Sequence, residues 1–303
     1  MKVIVLGGGT SPEREVSLRS AAAVSKALKQ AGAEVVDIDP KNGLEILDRQ
    51  KDVIVFPILH GQNGEDGTIQ RELEVRNLPY LGTDSTTSAK CFDKWQTRLA
   101  LLAAKLPMAR GDLVTSDTYY GHPLTKQPHV LKVTHGGSSI GTYIVKDPRK
   151  VDSKLVKDVF QLHERAVIEE LVEGIEITVP ILDDKALPVI EIRPPADADF
   201  DYENKYNGVT SELCPPRSLD KDQQNQAQTL AEKVHRTMGC RHLSRTDIIM
   251  KPDGSFIVLE INTIPGMTEQ SLYPKSASVA GISMPKLMSA FVDLVKRDYG
   301  INE

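Results

Sequence analysis

The stretch RTDIIMKPDGSFIVLEIN, residues 245 to 262, restricts the fold more tightly than any other part of the chain. Two apolar runs flank Pro252, Asp253 and Gly254, the composition of a tight turn, so the segment reads as an antiparallel hairpin. A two-residue turn at Asp253 and Gly254 sets Asp247 opposite Glu260 and Arg245 opposite Asn262, with all four on one face of the ribbon. The other face then holds Thr246, Ile248, Met250, Ile257, Leu259 and Ile261, a surface suited to covering a core. Facing carboxylates about 5 Å apart repel by roughly 3 kcal/mol at an effective dielectric of about 20, more than a favourable cross-strand pair contributes. A cation between them removes that penalty. Asp247, Glu260 and Asn262 together offer hard oxygen donors suited to Mg²⁺, which takes few protein ligands and fills its shell with phosphate oxygens and water. The alternative reading of the same residues is a solvated edge hairpin in which Arg245 neutralises Asp247.

The segments KVIVLGG, EVSLRSAAAVSKALKQAG, AEVVDID and DVIVFPIL alternate strand, helix, strand and strand, the rhythm of an open, largely parallel α/β sheet over about the first 85 residues. TSAKCFDKWQTRLALLAAKLPM predicts one helix ended by Pro107, and HVLKVTHGGSSIGTYIV a strand, a glycine-rich loop and a strand. DKDQQNQAQTLAEKVHRTMG and MPKLMSAFVDLVKRD predict two later helices. The expected units are 1–88, 89–172 and 173–303. A formal net charge of -5 leaves no excess of Lys and Arg for a nucleic-acid backbone or an anionic membrane, so neither is expected as a partner. Cys91, Cys214 and Cys240 are odd in number and form no C-x-x-C pair, which predicts neither a disulfide framework nor a zinc site. The N-terminal apolar run is too short for a signal peptide, and the expected location is the cytoplasm.

The loops carry the remaining chemistry. VIVLGGGTS lacks the dinucleotide fingerprint because Pro12 stands where a third glycine is required. Glu15 falls near the N-terminus of the following helix, where it either complements the helix dipole or binds a substrate ammonium. LHGQNGEDGT puts His60 and Glu65 at the C-terminal end of a buried strand, where open α/β sheets bind ligands. In KVTHGGSSIGT, Lys132 ends a strand, and the run from Gly136 to Gly141, with Ser138 and Ser139, forms a cradle for phosphate oxygens. It is not a Walker A loop, since the lysine precedes the glycines and a strand follows. EELVEGIE offers Glu169 and Glu176 as acceptors for a purine amine and a ribose hydroxyl.

The motifs EREVS, HGQNGEDGT, GSSIG, ENKY, SRTD, EIN and PGMTEQSLYP follow one another in an order that resembles the D-alanine:D-alanine ligases of the ATP-grasp superfamily over nearly the whole chain. The resemblance implies an α/β and α+β ATP-grasp fold, in which a Rossmann-like N-terminal domain precedes two subdomains that hold ATP between them. It implies that Lys94, Lys132, Ser139 and Lys205 contact ATP phosphates and that Glu169, Val172 and Glu176 hold adenine and ribose. Asp247, Glu260 and Asn262 would bind two Mg²⁺ ions, with Mn²⁺ as a substitute. In the implied reaction the carboxylate of one D-alanine attacks the γ-phosphoryl group, and the amine of a second D-alanine displaces phosphate from the acyl phosphate. Arg245 and the Gly266 amide would form the oxyanion hole. Glu15 would bind the first ammonium, His60 would contact substrate, and Ser271 with Leu272 would bind the second carboxylate. Ser138 and Tyr206 would hydrogen-bond with Glu15 and close the loop 199–207 over the site; Tyr206 further implies an amine rather than D-lactate as the nucleophile. The product would be a peptidoglycan precursor and the assembly a homodimer. The chain departs from the family pattern at Gly136, where a glutamate is common, at Leu171, where an aromatic residue is common, and in lacking a proline after Lys132. The alternative function is another ATP-grasp carboxylate:amine ligase, including a D-alanine:D-lactate type.

Overall fold

The computed structural model describes residues 1–137, 141–193 and 210–301. Its first unit runs β1 (Lys2–Leu6), α1 (Arg14–Gln30), β2 (Glu34–Ile38), β3 (Val53–Pro57) and α2 (Thr68–Val75). The three strands are parallel in the order β2-β1-β3. Val3, Ile4, Val5 and Leu6 are all buried, as is the whole of β3, which is what parallel strands covered on both faces require. Ala21, Val24 and Leu28 of α1 join Val3 and Val5 in one core, while Ile69 and Leu73 of α2 join Ile4 and Leu6 in another.

Two further helices, α3 (Ser85–Phe92) and α4 (Lys94–Ala103), stand where one was expected. Asp93 divides them. Its backbone is extended and its carboxylate accepts from the amides of Trp95 and Gln96 at 2.8 and 3.1 Å, so it caps a new helix instead of continuing the old one. The break makes Lys94 the first residue of α4. The second sheet comprises β4 (Gly111–Thr115), β5 (His129–Val133), β6 (Thr142–Val145) and β7 (Arg165–Glu170), with the short helix α5 (Ser116–Tyr119) after β4 and α6 (Ser153–Leu162) before β7. Its antiparallel order is β4-β7-β5-β6, and α6 buries Val156 and Val159 against Leu131 and Ile168.

The third sheet holds β8 (Ile175–Leu182), β9 (Lys185–Ala186), β10 (Ile190–Arg193), β11 (Ser211–Leu213), β12 (Leu243–Met250) and β13 (Phe256–Asn262). Its main path is β11-β10-β8-β12-β13, all antiparallel. Helix α7 (Lys221–Met238) covers it with Ala227, Leu230, Ala231 and Val234. Asp220 and Gln223 form a capping box at its start, and Gly239 ends it at φ +83°. Cys91 and Leu101 of α3 and α4 pack into this third core, although sequence order sets them before the second sheet. Cys91 and Cys240, far apart in sequence, lie with Sγ atoms 3.8 Å apart as free thiols.

The hairpin differs from expectation at two points that compensate. Lys251 pairs with Ser255 around residues 252–254, and Gly254 sits at φ +81°, so the loop has three residues and not two. A bulge then falls between Asp247 and Ile248, because Ile248 pairs with Val258 and Asp247 with Glu260, leaving Leu259 over. Beyond the bulge Asp247 faces Glu260 and Arg245 faces Asn262, the pairs expected from the shorter turn. The core face therefore carries Phe256, Val258 and Ile261, while Ile257 and Leu259 are only half-buried.

The C-terminal helices α8 (Leu272–Val279) and α9 (Met284–Tyr299) return to the first unit. Leu287, Met288 and Phe291 join the core of β1 and α1, with the Phe291 ring edge-on to Phe56 at 6.4 Å. No single helix among the described residues is long and apolar enough to cross a membrane. His242 ties α9 to the first unit: its Nδ1 accepts the Gly82 amide at 2.9 Å and its Nε2 meets Asp298 at 2.9 Å. Burial, reinforced by Arg241, pulls the imidazole down to about 4. The unfolded chain takes this proton near pH 6.5 while the folded chain does not until about 4, so stability declines as pH falls through that window. The expected loss is roughly 3 kcal/mol, from the shift at about 1.36 kcal/mol per unit. Chemical denaturation across that range should show it, and His242→Asn, which tolerates the φ of +62°, should flatten the curve by that amount.

Candidate active site

A cavity of about 660 Å³ lies where the three sheets meet, within the size range of nucleotide and drug sites. One end of the cavity is built on β5, β7 and α4. Successive inward positions of β7 present Val167 and Glu169, and β5 presents Lys132. Lys132 Nζ lies 2.7 Å from Glu169 Oε2, and Arg98 Nη1 lies 3.1 Å from Oε1. Burial pulls the Lys132 ammonium down, but Glu169 more than offsets this and its pKa is raised. Met108, Val167 and the bulged Leu259 supply an apolar wall. Lys94 donates to the Gly136 carbonyl at 2.6 Å and stands 3.9 Å from Glu260, which links the glycine-rich loop to the hairpin.

On the hairpin, Arg245 grips Asp247 with two hydrogen bonds of 2.9 and 2.8 Å, and Thr178 donates to the same carboxylate at 2.6 Å. Glu260 and Asn262 face the cavity, while Asp247 lies behind Arg245, outside the cavity wall. Asn262 Oδ1 accepts the Ile264 amide at 2.9 Å, fixing the side chain's orientation. Glu260 and Asn262 offer the cavity a carboxylate and an amide oxygen, donors that fit Mg²⁺, and Asp247 would join them only by sharing with the ion an oxygen that already accepts from Arg245. Among the described residues no group of three or more His, Cys, Asp or Glu could hold a metal, so such an ion depends on the amide, water and phosphate oxygens to complete its shell.

At the other end of the cavity Glu15, the residue expected to bind an ammonium, is not part of the lining. Glu15 is exposed on the outer side of α1, whereas Glu13 is buried and lines the cavity. The reason is helix phase: Glu13, just before the first helical residue Arg14, shares the buried stripe with Ser17 and Ser20, whereas Glu15 shares an exposed face with Arg19 four residues on. The backbone closes tightly round Glu13, since a Cβ at Gly61 or Gly137 would lie 2.3 or 2.9 Å from its Oε2. Glu65 is buried beside it and accepts the Gly61 amide at 2.6 Å. Burial, then the charge of Glu13, pushes Glu65 up to about 8. His60 is buried and pulled down to about 4, chiefly by burial, so it is neutral at pH 7; its Nε2 meets Ser20 Oγ at 3.2 Å. Ser20 also accepts the Met267 amide at 3.4 Å, which anchors the turn that presents Gly266. That turn presses on Ser271, at the N-cap of α8, so closely that a Cβ at 266 would lie 2.9 Å from Ser271 Oγ.

The structure thus brings His60, Lys94, Lys132, Glu169, Arg245, Glu260, Asn262, Gly266, Ser271 and Leu272 to one cavity. Val172, in the turn after β7, and Glu176, on β8, do not line it. Ser138, Ser139, Lys205 and Tyr206 lie outside the described residues. Sequence reasoning passed over Glu13 and Arg98, and it placed Glu65 at a ligand-binding strand end without giving it a role.

The D-ala D-ala ligase C-terminus family model matches residues 121–293, and the corresponding N-terminus model matches 39–83. A D-alanine--D-alanine ligase from Xanthobacter autotrophicus is 42% identical over 298 residues, covering 96% of this chain and 97% of that one. Among solved structures, the D-alanine--D-alanine ligase from Bacillus anthracis complexed with ATP superposes with a TM-score of 0.85 at 29% identity, covering 99% of both chains. The VanG D-Ala:D-Ser ligase from Enterococcus faecalis gives 0.82 at 26% identity, covering 97% of this chain and 99% of that one. The fold is the ATP-grasp fold of these structures. Motif order, cavity and near full-length identity agree: the chain belongs to the D-alanine--D-alanine ligase family.

Proposed function

We propose that this chain joins two D-alanine molecules into D-alanyl-D-alanine, a peptidoglycan precursor, using ATP and passing through an acyl phosphate. One observation carries the reading: a single cavity sets cationic side chains and the hairpin residues Glu260 and Asn262 between a buried acid at Glu13 and a helix N-terminus at Ser271. An amino acid needs both ends, an anion for its ammonium and a donor-rich site for a carboxylate. Glu13 takes the first ammonium, in the place first given to Glu15. Lys94 and Lys132 receive the triphosphate, and Glu169 accepts from the purine amine. Asp247, Glu260 and Asn262 would hold Mg²⁺, which supplies charge neutralisation at the phosphates when bound.

Transfer of the γ-phosphoryl group to the first carboxylate gives the acyl phosphate and ADP. The second amine then attacks that carbonyl; the oxyanion so formed is met by Arg245 and the Gly266 amide, and its collapse expels phosphate. Asp247 fixes the Arg245 guanidinium at two atoms, so it needs no reorganisation as charge develops. Ser271 and the first amides of α8 receive the second carboxylate. Val172, Glu176, Ser138, Ser139, Lys205 and Tyr206 keep the roles implied by family resemblance. ATP supply places the reaction in the cytoplasm, and the working assembly is a homodimer, to be checked by sedimentation.

The VanG likeness shows that the backbone alone does not select the second substrate. Incubation with ATP and Mg²⁺ should give a product of D-alanyl-D-alanine mass from D-alanine alone. D-lactate or D-serine offered with D-alanine should form little mixed product. Phosphate release without dipeptide, or a dominant mixed product, would refute the assignment.

A further inference from the structure

Arg98 sits one helical turn after Lys94 on α4 and is only 3% exposed. Nη1 meets Glu169 at 3.1 Å and Nη2 donates to the Ala109 carbonyl, while Nε has no hydrogen-bond partner among the described residues. Burying a guanidinium with one donor unsatisfied is unfavourable for packing alone. The surroundings are shaped to admit it. Gly111 pairs with Glu169 across β4 and β7, and a Cβ there would lie 2.5 Å from the Ile168 carbonyl, 2.9 Å from Glu169 Cγ and 3.2 Å from Arg98 Cζ.

Lys132 has two competing claims on it. Here it pairs with Glu169, yet as a phosphate-binding residue it must turn toward the triphosphate. Once it turns, Glu169 would be a buried carboxylate with no counter-charge, if Arg98 were absent. We propose that Arg98 is a positioning residue of the nucleotide subsite, a standing counter-ion that holds Glu169 in place as an acceptor while Lys132 leaves it for the phosphates. The proposal rests on the reading of Glu169 as the partner of the purine amine.

Inosine triphosphate, which carries a 6-keto group in place of that amine, separates the two ideas. In steady-state assays of the full chain, wild type should favour ATP over inosine triphosphate by roughly 100-fold in kcat/KM, because an acceptor facing a keto oxygen is left unpaired. Arg98→Met should raise the KM for ATP by roughly 30-fold and shrink the preference to about 3-fold, with both D-alanine KM values unchanged. Arg98→Lys, which keeps a charge beside Glu169, should recover most of the preference. If the methionine variant does not fold, Arg98→Gln repeats the comparison. An intact preference in a folded Arg98→Met or Arg98→Gln protein would overturn the positioning role and leave Arg98 a packing residue. Glu169→Gln identifies the other failure: a wild type with no preference, or a Glu169→Gln protein that keeps it, overturns the purine-amine reading and the proposal with it.

Discussion

Glu13→Gln is expected to lower kcat/KM for the first D-alanine by about 100- to 1000-fold, while Glu15→Gln stays within about 2-fold of wild type. The two acids are separated by one residue in the same motif, yet one is buried in the cavity and the other is exposed to solvent. A buried carboxylate that meets an ammonium makes a charge-assisted hydrogen bond, and its amide replacement keeps the shape but loses the charge. An exposed first-turn acid contributes only a few tenths of a kcal/mol through the helix dipole, roughly the lower end of such effects. Phosphate release measured against D-alanine concentration decides the matter. Equal losses at both positions, or a loss confined to Glu15→Gln, would return the ammonium to Glu15.

Arg245→Met should reduce kcat by roughly 1000-fold, the range found when one oxyanion donor is removed. It should also destabilise the fold by about 3 kcal/mol, because Asp247 is 7% exposed and would lose its bidentate partner. The two effects are separable. Assayed well below its melting temperature, where it is folded, the Arg245→Met protein should still show the full loss of kcat. A near-wild-type kcat in the folded variant would show that Arg245 serves only the fold.

The features legible in sequence were those set by local period and turn chemistry. The existence of the hairpin and of α7 followed from period and turn composition, while the facing of Asp247 with Glu260, expected from a two-residue turn, holds because the bulge cancels the longer loop. Features that depend on a single backbone decision were not legible. EREVS contains two acids at a helix start, and only the helix phase, fixed by where Arg14 begins, chooses between them. Asp93 interrupts a run whose apolar spacing continues across it, so its capping competes with a periodic signal and wins through its two short hydrogen bonds. Arg98 has the sequence appearance of an ordinary solvated charge on an amphipathic helix; only the packing of α4 over β7 reveals a buried cation. Leu259 reads as a core position until the bulge turns it aside.

That bulge separates tip from base in the β12–β13 ribbon. Deleting one residue of the 252–254 loop could be absorbed by straightening the strand at Leu259, leaving the Asp247 and Glu260 end where it stands. The loop can therefore vary in length without shifting the acids, and the side chain exchanged in the process would belong to the apolar wall of the nucleotide end.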